Sequence, residues 1–163
     1  MTTQTDHAEI STLVHRFFLA LDERRFTAGW ADGFVTGDTR METPLGTSHG
    51  ADAVRATEEA LGRYARTQHI ATGIVTDADA GAERAKASWN ALMTHVHHDA
   101  TLNQRGDVAD PLFTVGGRFE AELRRGADGW RFSRVTVRPI WTKGQPPLGI
   151  GEQEVRGGHG TGQ

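Results

Sequence analysis

Asp22 and His69 are the two side chains of this sequence best suited to do chemistry together. A neutral imidazole takes a proton only through its unprotonated nitrogen. A carboxylate bonded to the other N–H fixes the tautomer and supports the cation that forms. In contact, Asp22 would orient and His69 would act, a general base worth roughly 10²–10⁴ in rate. Such a base needs no cofactor, and the sequence has no cofactor motif and no cysteine, so no cofactor, disulfide framework or thiolate site is expected. The plainer alternative pairs Asp22 with Arg24 or Arg25 at a helix end and leaves His69 an ordinary buried histidine.

Further candidates follow from strand periodicity. Over 83–97, alternation puts Trp89, Ala91, Met93, His95 and His97 on one face and Asn90, Leu92, Thr94 and Val96 on the other. If the first face lines a cavity, His95 is a second polar group, able to hydrogen-bond or protonate a leaving oxygen beside His69. At a wet strand end or a subunit contact it would do neither. His95, His97, His98 and Asp99 hint at a metal, yet two alternate histidines need a third ligand that the sequence does not nominate, so no metal is expected. Arg134, Thr136 and Arg138 share a face opposite Val135 and Val137. In a pocket Arg134 would stabilise an anionic leaving group or enolate; on the surface it would pair with Glu120 or Glu122. Phe18, Trp30, Phe34, Met41, Trp89, Met93, Phe113 and Trp141 could shape an apolar binding cavity, although such residues also simply fill cores. Gly116-Gly117 reads as a bulge and strand bend, since no helix follows to make a phosphate cradle.

These residues need elements to position them. Asp6-His7-Ala8-Glu9 has the form of a capping box with Asp as the cap, and Ile10, Leu13, Val14, Phe17, Phe18 and Leu21 follow at helical spacing. Asp22, four residues after Phe18, leaves from the edge of that apolar stripe. Phe26 to Trp30 suggests a short second helix. Phe34-Val35, Thr39 to Thr43 and Leu45 to His49 suggest a strand pair turned near Pro44-Gly46, and Ala53, Val54, Thr57, Ala60, Leu61 and Tyr64 a third helix ending near Arg66. Segments 68–77, 83–97, 111–125 and 130–141 are strand-like, separated by a polar turn, a loose polar loop from His98 to Asp110, and Gly126-Ala127-Asp128-Gly129. Three helices before a meander of long strands is an α+β order.

At 163 residues one domain is expected, over 1–143, with 144–163 a flexible Gly/Pro-rich tail in which Leu148 and Ile150 could still order at a dimer contact. The net charge of −3 carries no nucleic-acid footprint, and no run of about 20 apolar residues is present to span a bilayer. Met1 to His7 lack the parts of a secretory signal, so the expected compartment is the cytoplasm.

The helix, short helix, hairpin, helix and four-strand meander resemble the SnoaL-like branch of the nuclear transport factor 2 superfamily. So do Asp22 at the end of the first helix, His69 in Thr67-Gln68-His69-Ile70, and Gly116-Gly117-Arg118-Phe119 followed by Asp128-Gly129-Trp130-Arg131-Phe132. The likeness runs from about Asp6 to Lys143. It implies a cone, with a strongly curved mixed or antiparallel sheet wrapped around the helices to hold a small molecule. Within the branch, scytalone dehydratase and hexachlorocyclohexane dehydrochlorinase use an Asp and a His at positions that resemble Asp22 and His69, and the dehydrochlorinases place an arginine at a spot similar to Arg134. Both catalyse eliminations without a cofactor. The chain departs from scytalone dehydratase in its tyrosines, of which Tyr64 is the only one, and the second aspartate of the superfamily's epoxide hydrolases has no clear counterpart. The implied function is a cofactor-independent lyase acting on a small apolar ring compound; the alternatives are a ligand-binding or assembly module of the same shape, an isomerase, or an aldol or shape-directed pericyclic cyclase. Self-association, first as a dimer, is expected through an outer apolar face including Val135 and Val137.

Overall fold

A computed structural model describes residues 3–149. Helix α1 (Gln4–Glu23) starts one cap earlier than the sequence suggested. Thr3 is the cap, its Oγ1 accepting the Asp6 N–H at 3.0 Å and its hydroxyl donating to Asp6 Oδ2 at 2.7 Å. The six apolar residues at helical spacing are all buried, which is why the helix lies across the sheet instead of beside it. Asp6 also anchors the far end of the sheet, accepting from Arg125 and from Trp130 Nε1.

One turn of 3-10 helix (Trp30–Gly33) replaces the short helix expected at Phe26 to Trp30. Then come β1 (Val35–Thr43), β2 (Gly46–His49), α2 (Gly50–Gly62), β3 (Arg66–Asp77), β4 (Arg84–Val96), α3 (Asp99–Arg105), a second 3-10 turn (Gly106–Val108), β5 (Leu112–Gly126) and β6 (Gly129–Gly144). The expected loop from His98 to Asp110 is thus largely helical. Helix α3 buries no side chain, so it leaves no apolar stripe in the sequence to find. The strand order is β2-β1-β6-β5-β4-β3, with β1 and β6 parallel and the other pairs antiparallel. This is an α+β fold with a six-stranded mixed sheet.

Register shifts interrupt β3 at Thr72/Val75 and the β5–β6 ladder at Gly116/Gly117 and Glu122/Leu123, and bulges of this kind bend strands. They also reverse side-chain parity. Leu123 pairs with Phe132 but Glu122 pairs with Arg134, so Ser133 is an extra residue and β6 changes phase there. Val135 therefore points inward, 3% exposed, against the expectation that it helps form an outer apolar face, and Val137 packs on the same core. The first residues of the expected tail are held against the domain. The Gln145 carbonyl accepts from His97 Nε2 at 2.7 Å, Gln145 Oε1 accepts the Asp110 N–H at 3.1 Å, Arg105 donates to the Pro146 carbonyl, and Pro147 is buried. Ile150 and the rest of the expected tail lie outside the described residues.

Candidate functional site

Asp22 sits in the last turn of α1, which ends because Arg24 takes a left-handed conformation (φ 53°). Strand β3 passes this helix end with Thr67 and His69 turned toward it, as i and i+2 on one strand face must be. Asp22 Oδ1 lies 2.6 Å from His69 Nδ1 and accepts the Thr67 hydroxyl at 2.9 Å, while Oδ2 accepts the His69 backbone N–H at 2.8 Å. The carboxylate can only accept from the ring, so Nδ1 carries a proton, and in the neutral ring the lone pair is then on Nε2. The His69 side chain is 6% exposed and that of Asp22 18%. Burial pushes the Asp22 carboxyl upward, but the ring and backbone bonds from His69, its charge and the Thr67 hydroxyl outweigh this and hold it below the ordinary carboxylate value. Arg24 and Arg25, the alternative partners, are engaged elsewhere: Arg24 Nη1 donates to the Tyr64 carbonyl at 2.7 Å, and Arg25 pairs with Glu23.

His95 stands beside the pair on the inner face of β4, its ring 6.0 Å from that of His69. Its Nδ1 donates to the Phe113 carbonyl at 2.8 Å, leaving Nε2 an acceptor. Burial drives its pKa down to about 4, more than the Phe113 bond can restore. His95 is therefore a neutral acceptor near neutral pH, and does not fit the role of protonating a leaving oxygen. Tyr64 packs on it at 4.4 Å between ring centres, and burial raises its phenol well above the usual value, so it keeps its proton. Sequence reasoning did not single out Thr67 or Tyr64. Thr67 was legible as the same-face neighbour of His69; Tyr64 reaches His95 only through the turn joining α2 to β3, which no local pattern announces.

Around this group the ring centre of Phe18 lies 5.2 Å from those of His69 and Phe119, and Trp89 is stacked on Phe119 at 5.2 Å. Met93 is cross-strand from His69, and Phe113 lies 5.7 Å from His95. Trp89 Nε1 is buried without a hydrogen-bond partner among the described residues. Phe34 and Trp30 join the cluster through Phe17, with Trp30 Nε1 held by Glu58 at 2.6 Å, and Met41 packs in the core where Thr57 donates to its sulfur.

Two expected members are elsewhere. The bulge at Ser133 turns Arg134 to the outer face, where Nη2 donates to both carboxylate oxygens of Glu42 at 3.0 and 3.1 Å. Glu122, one of its expected surface partners, stands 3.9 Å away. The Gly116/Gly117 shift likewise turns Trp141 outward, where its ring covers Gly116 and is 49% exposed. A hollow of about 780 Å³ also lies on that outer side, around Asp38, Arg84, Glu122 and Arg134; its charges largely neutralise one another, and it is remote from the dyad. Among the described residues no three His, Cys, Asp or Glu side chains are grouped to hold a metal. His95, His97 and His98 each bond a different carbonyl, those of Phe113, Gln145 and Gly62.

An Asp–His pair thus stands on the inner face where a helix end meets a mixed sheet, and by sequence comparison the chain belongs to the SnoaL-like domain family, whose model matches residues 2–136. Among solved structures it is similar to the Kfla4162 protein from Kribbella flavida, 23% identical over 86% of this chain and 94% of that one, with a TM-score of 0.76. It is also similar to hexachlorocyclohexane dehydrochlorinase LinA-type3 from Novosphingobium barchaimii, 15% identical over 90% and 92%, TM-score 0.70. A third likeness is to a candidate scytalone dehydratase from Novosphingobium aromaticivorans, 19% identical over 89% and 94%, TM-score 0.69. At these identities the likeness is one of fold. Among curated proteins no sequence match was found. No helix among the described residues is long and apolar enough to cross a membrane.

Proposed function

We propose that the chain is a cofactor-independent lyase, a dehydratase, eliminase or cyclase in the broad sense, acting on a small, largely apolar, ring-containing molecule. His69 removes a proton from carbon through Nε2, the C–H electron pair becomes the new double bond as the β-substituent leaves with its own bonding pair, and Asp22 holds the ring and supports the imidazolium. The observation that carries this reading is the 2.6 Å contact from His69 Nδ1 to Asp22 Oδ1 with both side chains mostly out of water. There the charge formed on the ring meets a fixed carboxylate instead of reorganising solvent. His95 Nε2 accepts a hydrogen bond from a substrate hydroxyl, and the Trp89 N–H offers a donor to a substrate oxygen. The names of the dehydrochlorinase and dehydratase neighbours are consistent with elimination chemistry.

The test is solvent-deuterium incorporation and elimination, measured on a panel of small cyclic ketones and their β-hydroxy and β-halo derivatives. The wild type should turn over at least one member, and His69→Gln should lose that turnover while still binding the compound. Binding without exchange or elimination in the wild type would instead identify a container. Turnover without deuterium uptake, indifferent to His69, would identify a shape-directed cyclase.

A further inference from the structure

Arg24 stands in a backbone conformation that arginine seldom takes. It ends α1 in the left-handed region (φ 53°, ψ 35°) and, among the described residues, is the one residue other than glycine with a positive φ. Helices that end with this turn usually carry glycine there, which adopts it without strain. A side chain at that point adds backbone strain that glycine would not, so it calls for a function. Its bonding does not supply one. Nη1 donates to the Tyr64 carbonyl at 2.7 Å, while Nε and Nη2 are buried with no hydrogen-bond partner among the described residues. Both carboxylates of the adjoining helix turn are taken, Asp22 by Thr67 and His69 and Glu23 by Arg25. A neutral amide could hold one carbonyl with less desolvation, so what an arginine adds here is its positive charge.

We propose that Arg24 is a positioning residue that acts on the Asp22–His69 dyad through its charge, keeping the carboxyl ionised and the imidazole a free base at neutral pH. The last turn of α1 has no basic side chain, and its open carbonyls place partial negative charge beside the Asp22 carboxylate. Carboxylate and dipole together draw a proton onto the ring, and a fixed cation at the same helix end offsets them. The two charges do reach one another: burial pulls the Arg24 guanidinium below its ordinary value, and the Asp22 charge pushes it back up. The titratable groups that other elements bring to the dyad are His95 on β4 and Tyr64 behind it, both uncharged near neutral pH. His97 acts on His95, and Arg63 and Arg105 act on Tyr64; β5 brings the Phe113 carbonyl, which has no net charge. The bond from Arg24 to Tyr64 fixes the cation in place, because it ties the helix end to the turn that leads into Thr67 and His69. The inference rests on the dyad being the reactive pair, and it names what sets the protonation state from which that pair works.

Variants of the full chain separate charge from shape. Arg24→Gln keeps a hydrogen-bond donor and drops the charge, whereas Arg24→Lys keeps the charge and drops the planar fork. Followed on the His69 ring signals by NMR with no substrate present, the dyad of Arg24→Gln should titrate at a pH above wild type by about half a unit or more, and that of Arg24→Lys within about 0.2 unit of wild type. Arg24→Gly adopts the left-handed backbone freely and removes the charge a second way, so it should shift as Arg24→Gln does even where that variant folds poorly. On a substrate of the proposed reaction the acid limb of kcat/KM should move upward by the same amount, with the plateau above it within about threefold of wild type. A residue that only tethered the helix end would lower that plateau and leave the limb in place. Unshifted titrations in both neutral variants, or an Arg24→Lys variant that shifts as far as they do, would overturn the proposal. Shifted titrations in a chain that turns nothing over would uphold the charge role and count against the reaction.

Discussion

On the inner face of the sheet Asp22 takes three hydrogen bonds from two residues of β3, and its imidazole partner is 6% exposed. On the outer face Glu42 is as well supplied, with two bonds from Arg134 and one from Thr136, but Arg134 is 42% exposed. Bond counts alone would rank the two carboxylates together. Their partners separate them: water screens and can replace the exposed Arg134, and Glu42 keeps Arg40 besides, whereas at the inner pair a lost partner leaves buried polar groups with nothing to bond. The largest effect expected from this contrast is catalytic. His69→Gln should lower the rate on any accepted substrate by roughly 10²–10⁴, leaving affinity near wild type. A variant that keeps its rate would remove the functional half of the contrast.

Stability should divide the same way. Asp22→Ala strips an acceptor from the Thr67 hydroxyl, the His69 N–H and the His69 ring, and should cost roughly 3–5 kcal/mol in urea unfolding. A smaller effect is expected from pH. His95 titrates near 6.5 in the unfolded chain and near 4 in the fold. Between those values the unfolded state holds the extra proton, so stability falls as the pH drops from 6.5 to 4, by about 3 kcal/mol in all. Asp22 acts in a separate window. Its carboxyl is depressed in the fold, so its contribution is present above its unfolded value of 3.8 and is lost below it. Urea midpoints at half-unit pH intervals, for wild type and His95→Gln, should differ in slope between 6.5 and 4 and converge in slope below.

Where the sequence could be read, the reason was burial with a period. The stripe from Ile10 to Leu21 had to be a helix lying on a core, and all six of its residues are buried. The contact of Asp22 with His69 was expected from family resemblance and the logic of the pair; spacing alone could not bring together residues on α1 and β3. Alternation along β6 gave the wrong face for Arg134, and Trp141 was expected in the cavity as an aromatic, not from its place in that alternation. Counting by twos from Trp130 and Phe132 does put Arg134 inward, but the extra residue at Ser133 reverses the count, and the shift at Gly116/Gly117 reverses it again before Trp141. A bulge is set by how two strands pair, so one strand's pattern cannot reveal it. The same limit hid Tyr64, whose place beside His95 depends on the turn between α2 and β3.

Arg134→Ala tests the comparison at its weak end. If the guanidinium only balances Glu42 at the surface, its loss should shift the melting temperature by less than about 2 °C, and added salt should shrink even that difference. Turnover should stay within about threefold of wild type, because the side chain lies across the sheet from His69 and can touch no substrate there. Glu42 would keep Thr136 and Arg40 as partners, which is why removing one cation costs little: the carboxylate is not stranded. A large rate loss from Arg134→Ala would mean that the Ser133 bulge can shift and return the arginine to the inner face. The two faces would then no longer be chemically separate.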